Sequence, residues 1–296
     1  VTLAEQWAEG ARQVEAELER LLPPAEAGPA LLHQAMRYAT LGGGKRLRAF
    51  LTLSAAEAVG GPPGRLLPAA CAVELVHAYS LSHDDLPCMD DDDWRRDRPS
   101  THRVYGEAIA LLAGDALLTL AFEVLAGAGL REGLPAERVL AAVRELALAS
   151  GSLGMAGGQA DDLLNEGRPV SFPEVESLHR RKTGALIRAS VRLGALLSGA
   201  APEALAALTA YGEALGLAFQ ITDDLLDVEG EAARTGKAVR KDAARAKATY
   251  PGLLGLAEAR RRAKEAVEAA KSALVSFGEQ GAVLGALAEF VLNRDR

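Results

Sequence analysis

Apolar positions recur every three or four residues along almost the whole chain, the spacing of helices that bury one face. Residues 2–22 predict an amphipathic helix closed by Pro23 and Pro24, and residues 29–41 a second, ended by Gly42, Gly43 and Gly44. A third runs over 45–59 to the turn "GGPPG" at 60–64. Residues 66–86 predict a long helix that stops near Pro87, because the residue before a proline is pushed out of the α region. Further helices are predicted over 104–129, 136–150, the later part of 151–164, 173–199 and 201–228. Residues 229–247 are polar and basic and read as loop; 250–278 and 281–294 predict the last two helices. No segment reads better as strand than as helix, and no repeat or linker interrupts the pattern. The expectation is an all-α fold of roughly ten or more helices, with residues 1–296 as one domain.

Composition agrees. Alanine and leucine dominate and aromatics are 4% of 296 residues, which favours helix over strand. The net charge of -7 argues against a nucleic-acid grip, which needs a basic face. No run of about 18 apolar residues appears, so no membrane span is expected. The opening residues lack the basic and apolar regions of a signal peptide. The two cysteines, Cys71 and Cys88, suggest a reducing compartment, and no paired Cys or His spacing supports a zinc site.

Charge is concentrated in two places. "DDLPCMDDDD" (84–93) sets Asp84 and Asp85 at a helix end, and Pro87 lets Asp90 swing back toward Asp84. Asp91, Asp92 and Asp93 follow without an assigned role. In "FQITDDLLD" (219–227), Asp223 and Asp227 are four residues apart and share a helix face, while Asp224 points about 100° away. Carboxylates crowded this way repel unless something cationic neutralises them. Oxygen donors without His or Cys suit magnesium, which takes one or two carboxylates plus phosphate oxygens and water. Two facing clusters could hold several magnesium ions around one diphosphate.

Cationic segments lie nearby in sequence. "LGGGKRLR" (41–48) puts Lys45 and Arg48 at a helix start, where backbone amides favour an anion; the spacing is not that of a P-loop. Arg95 and Arg96 follow the first aspartates, "RRKTGAL" (180–186) brings Lys182 and Thr183, and residues 234–251 carry Lys237 and Lys247. His77 lies two turns before Asp84; with Lys45 and Arg48 it is a candidate third donor to an anion, and otherwise a core or surface histidine. No Ser-His-Asp arrangement is apparent.

The order and spacing of "GGKRLR" (43–48), "HDDLPCMDDDDWRR" (83–96), "GQADDL" (158–163), "KTGALI" (182–187), "FQITDDLLD" (219–227), "GK" (236–237) and "AKATYP" (246–251) closely resemble those of the short-chain trans-prenyl diphosphate synthases, most closely the bacterial farnesyl diphosphate synthases. The resemblance covers nearly the whole length. It implies an all-α bundle around a deep central cavity, a homodimer, a cytoplasmic location, isoprenoid diphosphates as the partners and magnesium as the cofactor, three ions per site. It implies that Asp84, Asp90 and Asp223 bridge the metal, with Asp85 and Asp227 as second-rank members. Arg95, Lys182 and Lys237 would bind the allylic diphosphate, and Lys45, Arg48, His77 and Arg96 the isopentenyl diphosphate; Gly44, Lys247, Thr183 and Gln220 would also bind substrate. Lys182, Thr183 and Gln220 would line a developing carbocation. Tyr79 and Ser80, five and four residues before Asp84, would form the cavity floor, the bulk of Tyr79 favouring a C15 product over C20. Where the family has glycine after the arginine pair, this chain has Asp97, an added negative charge. The alternatives are a geranylgeranyl diphosphate synthase and a non-catalytic subunit of a heteromeric synthase. Intact aspartate motifs oppose the second, and "GGKRLR" and "DDLLD" oppose a terpene cyclase.

Overall fold

Thr2 opens the first helix with a reciprocal cap. Its hydroxyl accepts from the Glu5 amide, and the Glu5 carboxylate accepts from the Thr2 amide. The structure, a computed structural model, describes residues 2–233 and 249–294, and of 229–233 the backbone alone. The all-α expectation holds, with helix ends within a few residues of those predicted. By internal contacts the described chain forms two compact units, one of residues 1–144 with 196–199, the other of 145–195 with 200–296.

The first unit contains α1 (Leu3–Leu21), α2 (Ala30–Thr40), α3 (Leu47–Ala58), α4 (Leu67–Asp84), a short α5 (Thr101–Tyr105) and α6 (Glu107–Glu132). It also holds the start of α7 (Ala136–Ser150). Helix α4 is its spine. Every residue from Pro68 to Val76 is buried, and α1, α2, α3 and α6 all pack against it. Helix α6 buries Ala110, Ala113, Leu117, Ala121, Val124 and Ala128, a stripe at helical spacing.

The second unit contains α8 (Met155–Asn165), α9 (Phe172–His179), α10 (Ala185–Ser198) and α11 (Pro202–Ala233). After the undescribed stretch come α12 (Tyr250–Leu254), α13 (Leu256–Ala273) and α14 (Ala282–Asn293). Its core joins Val175, Ile221, Leu225, Tyr250, Ala259 and Ala263, and α11 lies along α13. The helix predicted over 173–199 is divided by a π-helical turn at Arg180–Gly184. Helix α11 continues to Ala233, past the loop start predicted at 229.

One expectation needs correction. A two-stranded antiparallel ribbon pairs Trp94–Arg95 with Arg98–Pro99, where no strand was predicted. Arg96 and Asp97 both have positive φ, 53° and 60°, the backbone of a two-residue hairpin turn that twists its flanking strands into register. The ribbon is two residues a side, too short for an alternating pattern. Among the described residues, four helical stretches are long and apolar enough, by length and composition, to cross a membrane: Glu107–Glu132, Ala136–Asn165, Pro202–Val228 and Val275–Asn293. Each contains polar positions that interrupt a strictly apolar run, Asp115 and Glu123 in the first.

Candidate functional site

In the first unit the chain reverses immediately after α4. The Leu86 amide donates to the His83 carbonyl, the Asp90 amide to the Asp84 carbonyl at 2.7 Å and the Asp92 amide to the Asp85 carbonyl at 3.1 Å. Asp91 takes the left-handed conformation that completes the reversal. Asp90 thus returns beside Asp84, as Pro87 predicted. Asp85 is buried and accepts from Arg95, Nε to Oδ1 at 3.1 Å. Asp92 lies 3.6 Å from the same guanidinium, and exposed Asp93 pairs with Arg103.

The ribbon then carries Arg96 to the glycine loop, where its guanidinium donates to the Gly43 carbonyl. Gly44 has a φ of 130°, and a Cβ there would stand 2.8 Å from the guanidinium carbon of Arg96. Only glycine permits both the backbone and the approach. Tyr38, Gly42, Asp85, Arg95, Arg96 and Arg98 line one depression. Lys45 is exposed and Arg48 half-buried on the first turn of α3. Half-buried His77 has its pKa driven well below the ordinary value, first by burial and then by Arg48, Arg96, Arg46 and Arg95. Tyr79 packs edge-on against His83, ring centres 5.6 Å apart, and the Ser80 hydroxyl donates to the His77 carbonyl. Asp97 is exposed.

In the second unit the π turn presents Lys182 and Thr183. The Lys182 ammonium donates to Asp162 at 2.6 Å, and Arg181 pairs with Asp161. Helix α8 meets this turn at Gly158, where a Cβ would stand 2.4 Å from the Lys182 amide nitrogen. The Thr183 hydroxyl donates to Gln220 Oε1 at 2.8 Å, Gln220 Nε2 donates to Asp224 Oδ1 at 3.0 Å, and the Tyr250 amide donates to Asp224 Oδ2 at 2.9 Å. Thr183 and Gln220 are therefore brought together. Burial pushes the Asp224 carboxyl up to about 7 against those hydrogen bonds. Asp223 and Asp227 are on the more open side of α11, and Arg294 donates to Asp223 and to the Phe219 carbonyl. Lys237 and Lys247 lie outside the described residues.

Four participants escaped the sequence reading. Asp162 and Arg294 engage the predicted residues Lys182 and Asp223, while Arg46 and Glu74 engage each other next to Lys45 in the chain. Glu74 carried a signal, a single carboxylate inside the apolar run "CAVELV" (71–76). Arg294 carried none, being distant from every motif.

The donors at both aspartate motifs are oxygens, which fits magnesium. Among the described residues no group of three or more His, Cys, Asp or Glu is placed to hold an ion by itself. That also fits an ion completed by phosphate oxygens and water.

Residues 29–277 match the polyprenyl synthetase family. The farnesyl diphosphate synthase of Escherichia coli (strain K12) is 46% identical over 289 residues, covering 96% of each chain. That of Geobacillus stearothermophilus is 45% identical, covering 95% of this chain and 94% of its own. Geranylgeranyl diphosphate synthases are also among the relatives. The solved FPP/GFPP synthase of Zymomonas mobilis superposes with a TM-score of 0.88 at 36% identity, covering 98% of each chain. A match over most of the chain, joined to near-complete coverage at these identities, makes this protein a member of the polyprenyl synthetase family.

Proposed function

We propose that this protein is a farnesyl diphosphate synthase, condensing dimethylallyl or geranyl diphosphate with isopentenyl diphosphate. The observation that carries this reading is the depression lined by Arg95, Arg96 and Arg98, with Arg96 donating to the glycine loop that precedes α3. Such a concentration of guanidinium groups suits a diphosphate.

Asp84, Asp85, Asp90, Asp223 and Asp227 would hold magnesium, three ions in the full complement, which when bound would supply positive charge against the departing diphosphate. Arg95, Lys182 and Lys237 grip the allylic diphosphate, whose carbon–oxygen bond ionises as negative charge gathers on the leaving group. Gly44, Lys45, Arg48, His77 and Arg96 hold isopentenyl diphosphate with its double bond toward the allylic cation. The Thr183–Gln220 pair turns oxygen lone pairs toward positive charge without offering a strong nucleophile. Loss of a proton to the released diphosphate restores the alkene. Tyr79 and Ser80 limit growth to C15.

The reading takes residues 1–296 as one catalytic domain that acts as a homodimer in the cytoplasm without a membrane span. It is tested by incubating the purified protein with both substrates and magnesium, then separating products by chain length. A C15 product that disappears with chelator and returns with magnesium is expected. A predominantly C20 product moves the assignment to geranylgeranyl synthesis, and no product with intact protein overturns it.

A further inference from the structure

Glu74 is 3% exposed in the middle of α4, among residues that are otherwise apolar. A carboxylate so placed loses its hydration and must recover it from specific partners. It has two. Its Oε1 accepts from the Ala49 amide at 3.0 Å, and its Oε2 lies 3.5 Å from Arg46 Nη1. Ala49 is the third residue of α3, and its amide is one that a helix start leaves without an internal partner. Arg46, the residue capping that helix, has no side-chain cap of its own and sits at φ 49°, where non-glycine residues are uncommon. Glu74 therefore does from a neighbouring helix what a capping serine or aspartate does locally.

Arg46 is equally enclosed. At 4% exposure it donates through Nη2 to the Thr40 carbonyl at 2.7 Å and through Nε to Glu15 at 2.8 Å. It thus ties the start of α3 to α1, to the end of α2 and to α4. The residues on either side of this knot, Lys45 and Arg48, are those assigned to isopentenyl diphosphate. A buried ion pair is weak support for stability, since apolar replacements of similar volume often serve as well. What it does supply here is a fixed position and orientation for the first turn of α3.

Helix α4 supplies the other half of the argument. Glu74 precedes Asp85 by eleven residues, three turns on nearly the same face and about 16 Å along the axis. His77 lies one turn beyond Glu74. One helix thus carries the first aspartate motif at its end and the support of the cationic loop near its middle.

We propose that Glu74 is a positioning residue for isopentenyl diphosphate, locking Arg46 and the α3 amide so that Lys45 and Arg48 meet the diphosphate at a set distance from the aspartates. This rests on the functional reading above. The wild-type assay tests that reading, because failure of the reading appears as no isopentenyl diphosphate consumed by the unmodified enzyme.

The experiment is steady-state kinetics on the full chain, varying each substrate with the other saturating. Glu74→Gln keeps an acceptor for Ala49 but turns an N–H toward Arg46. It is expected to raise KM for isopentenyl diphosphate at least tenfold, to move KM for the allylic substrate less than twofold, and to lower kcat less than threefold. Adding Arg46→Gln to it creates a neutral hydrogen-bonded pair and is expected to recover most of the lost affinity. Glu15→Gln alters only the outer partner of Arg46 and is expected to raise the same KM about threefold, which keeps the test valid if Glu74→Gln does not fold. An equal rise in both KM values, a fall in kcat alone, or a lowered melting temperature with both KM values unchanged overturns the proposal. So does an unchanged KM in Glu15→Gln when Glu74→Gln is unfolded.

Discussion

Gly44 and Arg96 are mutually dependent. The guanidinium donates to the Gly43 carbonyl, and a Cβ at Gly44 would stand 2.8 Å from the guanidinium carbon, so one or the other would have to shift. The residues are 52 positions apart, one in the glycine loop and the other in the turn after the first aspartate motif. Gly44→Ala also meets a φ of 130°. It is expected to raise KM for isopentenyl diphosphate about tenfold, the ~1.4 kcal/mol equivalent of displacing one charged contact. Substrate titration at saturating allylic diphosphate measures it.

Asp97 occupies the second place of the two-residue hairpin turn at φ 60°. An L-residue is strained there by about 1 kcal/mol, Asn and Asp less than the others. Asp97→Gly is expected to stabilise the protein by up to about 1 kcal/mol, and Asp97→Ala to destabilise it by a similar amount. Denaturant midpoints separate the two. Because Asp97 is exposed, neither change is expected to move kcat.

Tyr79 is half-buried on α4 and held edge-on by His83. Tyr79→Ala removes the ring and lengthens any space below the first aspartates. The expected outcome is a shift of product from C15 to C20, read by chromatography of the dephosphorylated alcohols. A product distribution matching the unmodified enzyme refutes the role assigned to Tyr79.

His179 is buried and stacked on Tyr250, and burial lowers its pKa to about 4. Between pH 6.5 and 4 the unfolded chain binds a proton that the folded chain refuses. Stability contributed by this group is therefore complete above pH 6.5 and falls as pH falls through that window, by on the order of 3 kcal/mol. His179→Phe keeps a ring against Tyr250 and removes the titration. Its unfolding midpoint is expected to lose that part of its dependence on pH between 6.5 and 4.

Arg294 holds Asp223 through a charge-assisted hydrogen bond, with its guanidinium 3.9 Å from the centre of the Phe219 ring. A cation bound at Asp223 competes with it. Arg294→Gln is expected to tighten magnesium binding about fivefold, the equivalent of an ion pair worth ~1 kcal/mol. Calorimetric titration of chelator-treated protein measures this without reference to turnover.

Helical periodicity made the all-α fold legible, because stripes such as Ala110–Ala113–Leu117–Ala121 repeat the pattern that buries them. The reversal after Asp85 was legible because proline forbids the helix from continuing. Asp224 was separated from Asp223 and Asp227 by helix angle alone, and it is the buried one of the three. The ribbon was not legible, since its two-residue strands carry no period and its turn lacks glycine. The π turn at Arg180–Gly184 was also missed. Arg294 could not be found from the chain, because only folding brings residue 294 to residue 223.

The amino-terminal helix contains no residue of any recognised motif, yet it braces the cationic loop. Trp7 donates its indole N–H to the Lys45 carbonyl and stacks on Phe50, and Glu15 accepts from Arg46. A proteolytic nick beyond Glu15 would leave every signature sequence intact while stripping the brace from Lys45 and Arg46. Such a fragment would still pass any signature-based test of competence. Its handling of the two substrates should diverge, the homoallylic partner suffering first, so the placement of purification tags at that end is itself a kinetic variable.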